Sequence, residues 1–539
     1  MNIEEHYIAP ASKLMNDYIN GEPAIGQFCS YKPETAQFKA RYKKLKEHNV
    51  DRHKLTGILR NYMAPHGLSS KAEENLAAFE AGAPVVVAGQ QAGLLTGPLY
   101  TVHKAISIIV LAKQAAEELG VRVVPVFWIA GEDHDLAEIS HLYRGVNGRL
   151  DKLNVPYAEY GKNSASTAQL NKSTVESYLK EYFRSLPETA HSRELQALAF
   201  AHLEKADSYT DFFALLLNHF FNEEGLLYID AADPALRQYE TPYFEWMIRQ
   251  SKEIAHAVAD AEGQLQEAGY ATTIGAEENA ANLFVTVQGE RILLQREGER
   301  FTGKGAAVEY RLDELLEIAR TSPENLSNNV VTRPLMQEMV FPVLAFVGGP
   351  GEIAYWAALK SVFQTAEMEM PIVMPRLSMT LVSRRVETLL KKYNLSAVEV
   401  ANGQKIPELR RQLMESIREE QAERLIEEME QQLQAKYAEI KRAFSAISGG
   451  LDSLVEKNLQ FHEKQLKFLK NKLEDEVILQ NSTQFAHFDL LELELHPNGG
   501  YQERIFSPFP YMNDYGLNLV KELLALQFEY DKNHKLIYL

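Results

Sequence analysis

Four consecutive ionisable residues, Glu132, Asp133, His134 and Asp135, directly follow an apolar run. In open α/β sheets, ligands bind beyond the carboxyl ends of the strands, so a binding site is expected at this position. Three carboxylates around one imidazole favour the imidazolium, and they could hold an amine substrate, a metal ion or ATP-bound magnesium. Such crowding is costly without a balancing cation. A helix cap explains the cluster less well, because a cap needs only one acid.

A glycine-rich loop follows an earlier apolar run and leads into a helical pattern. Glycines let the backbone come close to a ligand, and free amides at the start of a helix attract phosphate or carboxylate. The candidate binding residues of this loop and helix are Gly89, Gln90, Gln91, Gly93, Thr96, Gly97, Tyr100 and Lys104. His103 could stabilise charge that develops on an α-phosphate. The alternative is a helix packed tightly against a sheet, with an incidental histidine.

A second glycine loop follows a later apolar run and contains Gly348, Gly349 and Gly351. Two such loops at strand ends can converge on one nucleotide or acyl group. Glu352 and Tyr355 come next and could contact a ribose or an amino group. A tight strand-to-helix turn is the alternative, although four Gly or Pro residues with a glutamate exceed what a turn needs.

Two more segments carry candidates with open alternatives. Arg376 could bind a phosphate or carboxylate bidentately with Ser378 beside it, or it could neutralise a local acid. The later segment LHPNGGYQER has a Pro- and Gly-rich turn, and it either returns the chain to the core or lines a site.

A metal site is not predicted. His134, Glu138 and His141 would share one face of a helix that began by Asp135, and this spacing is compatible with a metal triad. A solvated helix face explains the same spacing better.

Five short apolar runs bounded by Gly, Pro or Asp predict the elements that position these residues. They are Pro84 to Ala88, Val121 to Ala130, Gly225 to Ile229, Pro342 to Val347 and Pro371 to Met374. Such runs, separated by helical patterns, are typical of buried parallel strands in an α/β sheet. The first run, the glycine loop and the helix Leu99 to Glu118 together predict the opening unit of a nucleotide-binding fold.

The predicted core is divided by two insertions. We place the first half of the core at 1–152, an insertion at 153–220, a core strand region at 221–237, and a second insertion at 238–333. The second half of the core follows at 334–395, then a helical coiled-coil domain at 396–486 and a return to the core at 487–539. The second insertion contains the alternating, strand-like stretch Asn282 to Arg296.

The coiled coil is predicted from Ile426, Leu433, Ile440, Ile447 and Leu454, which recur every seven residues. A Ser448-Gly449-Gly450 break favours a hairpin of two antiparallel helices, but the heptad register runs through it, so one long helix stays possible. Either form exposes an apolar stripe, most simply covered by a second copy of the chain.

Composition limits the functional classes. The chain has 539 residues, 45% of them hydrophobic, so we expect several packed units. A net charge of -18 disfavours nucleic acid as a partner. A single cysteine excludes an internal disulfide and suits a reducing compartment. The first residues carry no secretion signal and no run is long enough to cross a membrane, which predicts a cytoplasmic protein.

The motifs GQQAGLLTGPLYTVHK, AGEDHD, GGPGEIAYW and LHPNGGYQER, in this order, resemble the bacillithiol cysteine-adding enzyme family over nearly the whole chain. The resemblance implies a Rossmann-like parallel-sheet core with class I synthetase-like connecting-peptide insertions, and a helical coiled-coil domain that forms a homodimer. The His-x-Gly-His and Lys-Met-Ser-Lys-Ser signatures of class I synthetases are absent.

The implied reaction joins the cysteine carboxylate to the amine of glucosaminyl malate, with ATP and magnesium activating the carboxylate. By this analogy, His103 stabilises the adenylation transition state, the Gly89 to Gly97 loop holds ATP or substrate, and Glu352 orients a ligand. Asp133 and His134 lie in the acidic segment that would hold the amine or remove its proton. Two alternatives stay open: a nucleotidyltransferase or a ligase for another amine on the same fold, and a non-catalytic metabolite-binding scaffold.

Overall fold

The computed structural model describes residues 1–146, 148–155, 163–417 and 419–539. The chain begins with one strand and a group of helices, which are β1 (Asn2–His6), α1 (Lys13–Asn20), α2 (Pro23–Gly26), α3 (Phe38–Leu45), α4 (Arg52–Met63) and α5 (Ser70–Glu80). Side chains that accept backbone hydrogen bonds fix the helix starts, as Asp51 does for α4 and Ser69 for α5.

The first predicted apolar run forms β2 (Val85–Gln90), and α6 (Tyr100–Leu119) leads from it to β3 (Val124–Ile129). Helix α6 ends at Gly120, which adopts the left-handed conformation that glycine allows at low cost. The strand, loop and helix order predicted for this segment is therefore present.

The segment between β3 and β6 holds the end of the first predicted core half and the first predicted insertion, and it is mostly helical. It contains α7 (Leu136–Ile139), β4 (His141–Val146), β5 (Arg149–Asn154), α8 (Lys172–Arg184), α9 (Ser192–Lys205) and α10 (Tyr209–Phe221). Strand β6 (Leu227–Asp230) follows it. Residues 147 and 156–162 of the predicted core and insertion lie outside the described residues.

The second insertion combines helices with an antiparallel sheet. Its elements are α11 (Pro234–Arg249), α12 (Ser251–Glu267), β7 (Ala280–Val287), β8 (Glu290–Glu297), β9 (Arg300–Gly303), β10 (Glu309–Arg311), α13 (Leu312–Thr321) and β11 (Leu326–Asn328). The strand-like stretch from Asn282 folds as the β7–β8 hairpin, and Gln288 and Gly289 take positive φ at its turn.

The next segment adds the last two strands of the central sheet, β12 (Val343–Gly348) and β13 (Ile372–Pro375). Its helices are α14 (Thr332–Val340), α15 (Pro350–Trp356) and α16 (Lys360–Thr365). The strand order of the central sheet is β13-β12-β2-β3-β6, and every neighbouring pair is parallel. Each of the five predicted apolar runs supplies one strand, which confirms the predicted parallel α/β core. The carboxyl ends of β2, β3 and β12 lie side by side at one edge.

The remaining elements form a helical unit and a return to the core. They are β14 (Met379–Val382), α17 (Arg384–Tyr393), α18 (Ala397–Ala401), α19 (Lys405–Ile417), α20 (Glu420–Ser445), α21 (Asp452–Gln480), α22 (Ser482–Leu495), α23 (Phe509–Tyr515), α24 (Leu519–Leu524) and β15 (His534–Tyr538). Strand β15 lies between β1 and β14 in a separate three-stranded sheet. Residue 418 of the predicted coiled-coil domain lies outside the described residues.

The coiled coil is a helical hairpin, which decides between the two forms left open by the heptads. Helices α20 and α21 run antiparallel, because Glu427 meets Lys470 at 3.5 Å and Gln434 meets Glu463 at 3.0 Å. A 3₁₀ turn over Gly449–Leu451 joins them, and the Ser448 hydroxyl accepts a bond from the Gly450 amide. Among the described helices, none is both long and apolar enough to cross a membrane.

Candidate active site

A cavity of about 540 Å³ opens at the carboxyl ends of β2, β3 and β12. Eleven of the residues that line it are among those predicted from the sequence, and they are Gly89, Gln90, Gln91, Tyr100, Lys104, Asp133, Gly349, Gly351, Glu352, Tyr355 and Arg376. The two glycine loops and the first acid cluster therefore converge on one space, as parallel strand ends allow. This volume is in the range of sites for small molecules.

Nine of the predicted residues do not line the cavity. They are Gly93, Thr96, Gly97, His103, Glu132, His134, Asp135, Gly348 and Ser378. Several of them are linked by hydrogen bonds to residues that line the cavity, and these contacts are described below.

Lys104 joins the two glycine loops across the cavity wall. Its ammonium group donates to Gly89 O at 2.7 Å and to Gln90 Oε1 at 2.9 Å, and it pairs with Glu352 Oε2 at 2.6 Å. Glu352 also accepts a bond from the Gly349 amide at 2.8 Å, which caps α15. Burial lowers the pKa of Lys104, and the adjacent Glu352 opposes this shift. These contacts hold the Lys104 side chain in place, and Glu352 balances its charge inside the protein.

The remainder of the first glycine loop packs against itself. A Cβ on Gly93 would lie 2.7 Å from Gly97 Cα, and Gly97 has a φ of +70°. Leu95 and Thr96 also take positive φ and are buried. This part of the loop is a tight turn that sets the direction in which α6 leaves β2.

His103 is buried behind Tyr100 and contacts Glu503 rather than the cavity. Its Nδ1 lies 2.8 Å from Glu503 Oε2, and its Nε2 has no hydrogen-bond partner among the described residues. Burial lowers the pKa of His103 despite the adjacent carboxylate. The neutral imidazole therefore donates from Nδ1 to Glu503 and keeps an acceptor at Nε2.

Glu503 accepts hydrogen bonds from three residues besides His103. Arg376 binds it bidentately at 2.5 and 2.6 Å, Ser378 Oγ donates at 3.0 Å, and the Met379 amide donates at 3.2 Å. Burial opposes ionisation of Glu503, but Arg376 and His103 outweigh it and hold its pKa well below the usual range. Arg376 thus neutralises a buried acid, which was the second of its two predicted roles, while it also lines the cavity.

The acid cluster after β3 is balanced by arginines from the second insertion and beyond. Glu132 is buried and accepts hydrogen bonds from Arg237, from Arg333 Nε at 2.9 Å and from the backbone amide of Asn328 at 3.3 Å. Burial raises the pKa of Glu132, but these guanidinium groups, with Arg291, lower it to about 2. Its charge is therefore permanent and structural at neutral pH.

Asp133 is the member of this cluster that lines the cavity. Arg333 binds Asp133 Oδ1 at 2.5 Å, Arg291 lies 3.3 Å from the same oxygen, and Gln91 reaches Oδ2 at 3.4 Å. Arg333 holds Glu132 and Asp133 together, so it fixes the direction of the Asp133 carboxylate.

The other two residues of the cluster face elsewhere. His134 Nδ1 lies 3.3 Å from Arg291, and the His134 ring packs edge-on against Phe284. Asp135 is exposed and precedes α7. Of His134, Glu138 and His141, only Glu138 lies on α7, so the helix face considered for these three residues does not form. His141 Nδ1 bonds to the Ala137 carbonyl, and Glu138 accepts a bond from Gln91.

The deep wall of the cavity is aromatic. Trp128, Phe346 and Tyr355 line it with Gln337. Burial and the adjacent Glu352 raise the pKa of Tyr355 well above its usual value, so its hydroxyl stays a donor. An apolar wall with few polar groups orients a ligand without solvating it.

Two matches to known proteins cover the chain. The family model described as "Bacillithiol biosynthesis BshC, N-terminal Rossmann-like domain" matches residues 1–377, and "Bacillithiol biosynthesis BshC, C-terminal coiled-coil domain" matches residues 379–539. The chain belongs to the bacillithiol biosynthesis BshC family. Membership confirms the predicted Rossmann-like core joined to a coiled-coil domain.

Curated relatives align over their full length. The chain is 45% identical to the "Putative cysteine ligase BshC" of Lysinibacillus sphaericus (strain C3-41) and 38% identical to the protein of that name from Geobacillus kaustophilus (strain HTA426), with 100% of both chains covered in each case. A solved Campylobacter jejuni chain named as a putative arginyl t-RNA synthetase has 9% identity and a TM-score of 0.25, covering 86% of this chain and 100% of its own. That likeness is too low to support an inference.

Several cavity residues come from distant segments and are not among the residues predicted from the sequence. Arg333 is the second residue of α14, Gln337 follows one turn later, and Arg504 comes from the carboxy-terminal return. Arg504 does lie in LHPNGGYQER, one of the four motifs that carry the resemblance to this family. Glu138 was considered only as a metal ligand, although it follows the acid cluster at a spacing that brings it to the same cavity.

Proposed function

We propose that this member of the BshC family joins L-cysteine to the amine of glucosaminyl malate in the last step of bacillithiol synthesis, using ATP and magnesium. One observation supports the proposal most directly. A cavity lined by charged groups lies at the carboxyl ends of parallel strands in a chain that aligns end to end with relatives named as cysteine ligases. We also propose that the reaction takes place in the cytoplasm.

Amide formation needs an activated acyl group, because a carboxylate is a poor acyl donor. The cysteine carboxylate attacks ATP and forms either an acyl adenylate with release of pyrophosphate, or an acyl phosphate with release of ADP. The glucosamine nitrogen then attacks the acyl carbon and loses a proton, while AMP or phosphate leaves. Both routes balance, and they differ in the nucleotide released.

We assign binding of the nucleotide or acyl group to the loops at Gly89–Gln91 and Gly349–Gly351, because glycine lets a ligand come close to the backbone. Gly351 supports this assignment, since a Cβ built there meets no atom within 4 Å. We assign the amine to Asp133, the acid of the first cluster that lines the cavity. His103 and Ser378 then act through Glu503 on Arg376, as positioning residues, and Glu132 and His134 hold the arginines.

The functional unit that we propose is a homodimer formed through the α20–α21 hairpin. The hairpin half-buries Ile426, Leu433 and Ile440 and buries Val455 and Leu466, but an apolar stripe on α21 stays exposed. Leu454, Phe461 and Phe468 recur every seven residues and are 58%, 61% and 58% exposed. A second copy of this hairpin is a partner with matching periodicity.

The test is a mass-spectrometric assay of the purified chain with cysteine, glucosaminyl malate and Mg-ATP, in which bacillithiol and nucleotides are quantified together. We expect bacillithiol with an equal amount of AMP if the intermediate is an adenylate, or of ADP if it is an acyl phosphate. Asp133→Asn should lower the rate by about tenfold or more, because it removes a charge that faces the amine. Glu309→Gln, in an exposed ion pair with Arg300, is the matched control. Folded protein that makes no bacillithiol would contradict the proposal.

A further inference from the structure

Four cationic side chains line the cavity, and three of them are paired within the protein. Lys104 pairs with Glu352, Arg333 with Asp133 and Glu132, and Arg376 with Glu503. Each of these cations has its charge matched by a buried or half-buried acid. The fourth cation is Arg504.

Arg504 has no such match. Its side chain is exposed, and within the described ranges it donates no hydrogen bond and forms no ion pair. Its neighbour Glu503 is fixed by Arg376 and His103, so the backbone that carries Arg504 is anchored at the rim. A guanidinium group held in place with free donors is suited to a carboxylate or phosphate.

The acids that line the cavity also divide into those paired with a cation of the protein and one that is not. Asp133 faces two arginines and Glu352 pairs with Lys104, but Glu138 has no cationic partner in the described part of the chain. Glu138 Oε2 accepts only the Gln91 amide, at 2.9 Å, and its side chain is exposed. A carboxylate with free acceptor positions is suited to an ammonium group.

The two unmatched charges face the same ligand space. Tyr100 lies on the cavity wall, and both charges act on its hydroxyl: burial raises the pKa of Tyr100, Arg504 lowers it and Glu138 raises it. The lining of the cavity therefore includes one unmatched positive charge and one unmatched negative charge. Uncharged ligands would leave both groups unused.

We propose that Arg504 and Glu138 bind the two charged ends of one ligand that carries both a carboxylate and an amine. This inference rests on the proposed function, in which cysteine and glucosaminyl malate each have this chemistry. Arg504 takes the carboxylate through paired N–H donors, and Glu138 takes the ammonium group beside Gln91. The Gln91 side chain also donates to Asp133, so the amine that we assign to Asp133 is shared with Glu138 in this arrangement. The site selects its substrate by these two opposite charges.

Isothermal titration of the full chain, without ATP, tests this pairing. Glucosaminyl malate and L-cysteine are titrated separately into the parent protein, Arg504→Gln and Glu138→Gln. We expect one of these ligands to lose about tenfold or more in affinity in both variants, because each variant removes a charged hydrogen bond. Both residues are exposed, so the variants should keep the unfolding midpoint of the parent. Arg300→Gln, on an exposed strand, is the control and should bind as the parent does.

The identity of the affected ligand distinguishes the two sources of this chemistry. A loss confined to glucosaminyl malate assigns the site to the acceptor amine, and a loss confined to cysteine assigns it to the donor. The inference is wrong if no ligand weakens in both variants or if neither ligand binds the parent. Parent protein that binds and shows the paired loss, yet forms no bacillithiol with Mg-ATP, would support this site and contradict the ligase.

Discussion

Arg376 and Glu503 form a buried bidentate ion pair between residues that are 127 positions apart in the chain, with N–O distances of 2.5 and 2.6 Å. The pair links the end of β13 to the carboxy-terminal return, so the second family domain completes the wall of a cavity that the first domain begins. His103 and Ser378 contact the same carboxylate. The wall is therefore sensitive to the charge on one glutamate.

Glu503→Gln should lower the free energy of unfolding by roughly 3–5 kcal/mol, because it leaves the buried Arg376 charge without its counterion. Urea unfolding monitored by circular dichroism measures this change. The matched control is Glu309→Gln, whose partner Arg300 is exposed, and it should cost about 1 kcal/mol or less. Equal, small effects of the two changes would show that the buried pair contributes little.

Stability should fall as the pH falls below that of neutral solution, and His534 should account for part of the loss. Burial lowers the pKa of His534 to about 4, below the value of 6.5 for a free histidine, while Ser378 and Thr380 bond to its ring. The unfolded chain then binds the proton first. The stabilisation from His534 is complete above the unfolded pKa and is lost as the pH falls towards the folded pKa.

Between pH 7.5 and pH 5.0, His534 should thus contribute about 2 kcal/mol of lost stability, since one pKa unit corresponds to about 1.4 kcal/mol. Urea unfolding of His534→Gln at both pH values should show a smaller loss than the parent by that amount. His256→Gln, an exposed histidine on α12, is the control and should keep the full pH dependence. An unchanged pH dependence in His534→Gln would exclude this histidine as the cause.

The sequence predicted the strands of the core because strands buried on both faces appear as continuous apolar runs. Val85 to Ala88 and Val343 to Val347 are such runs, and both lie in the central sheet. Two glycine loops and one acid cluster at strand ends then had to meet at the same edge. Eleven predicted residues line the cavity for this reason.

The rest of the site depends on partners that no local pattern shows. Arg333 meets Asp133 across 200 positions, and Glu503 meets His103 across 400. The spacing of His103 after Tyr100 shows only that they occupy one helix, not that His103 faces inward to Glu503. The heptads likewise predicted an apolar stripe, but the Ser448 to Gly450 turn decided that α20 and α21 pair within one chain.

Alanine should change the stability of the protein at one glycine of the predicted binding loops and leave it unchanged at another. Gly93→Ala should destabilise the fold by roughly 1–3 kcal/mol, because the new Cβ would lie 2.7 Å from the Gly97 backbone and overpack a buried turn. Gly351→Ala meets no atom within 4 Å and should leave stability within about 0.5 kcal/mol. Thermal and urea unfolding measure both, and equal stability of the two variants would contradict the described packing.

Gly351→Ala also tests whether a ligand approaches the backbone at the cavity. If ATP or the acyl group contacts this loop, the added methyl should raise the KM for that substrate severalfold while the unfolding midpoint stays unchanged. Steady-state assays with each substrate varied in turn identify the one affected. KM values equal to those of the parent would show that no substrate contacts the second glycine loop at Gly351.

The exposed stripe on α21 predicts that charge placed there separates the proposed dimer. Phe461→Glu with Phe468→Glu puts two carboxylates where two apolar side chains, 61% and 58% exposed in one chain, would be buried against a second copy. Burying unpaired charge is costly, so the dissociation constant should rise by about 100-fold or more. Light scattering after size-exclusion chromatography should show a dimer for the parent and a monomer for the variant. Lys467→Glu changes an exposed position on the same helix, away from the face that carries Leu454, Phe461 and Phe468, and should stay dimeric. A monomeric parent would refute the dimer, and a variant that stays dimeric would place the interface on another surface.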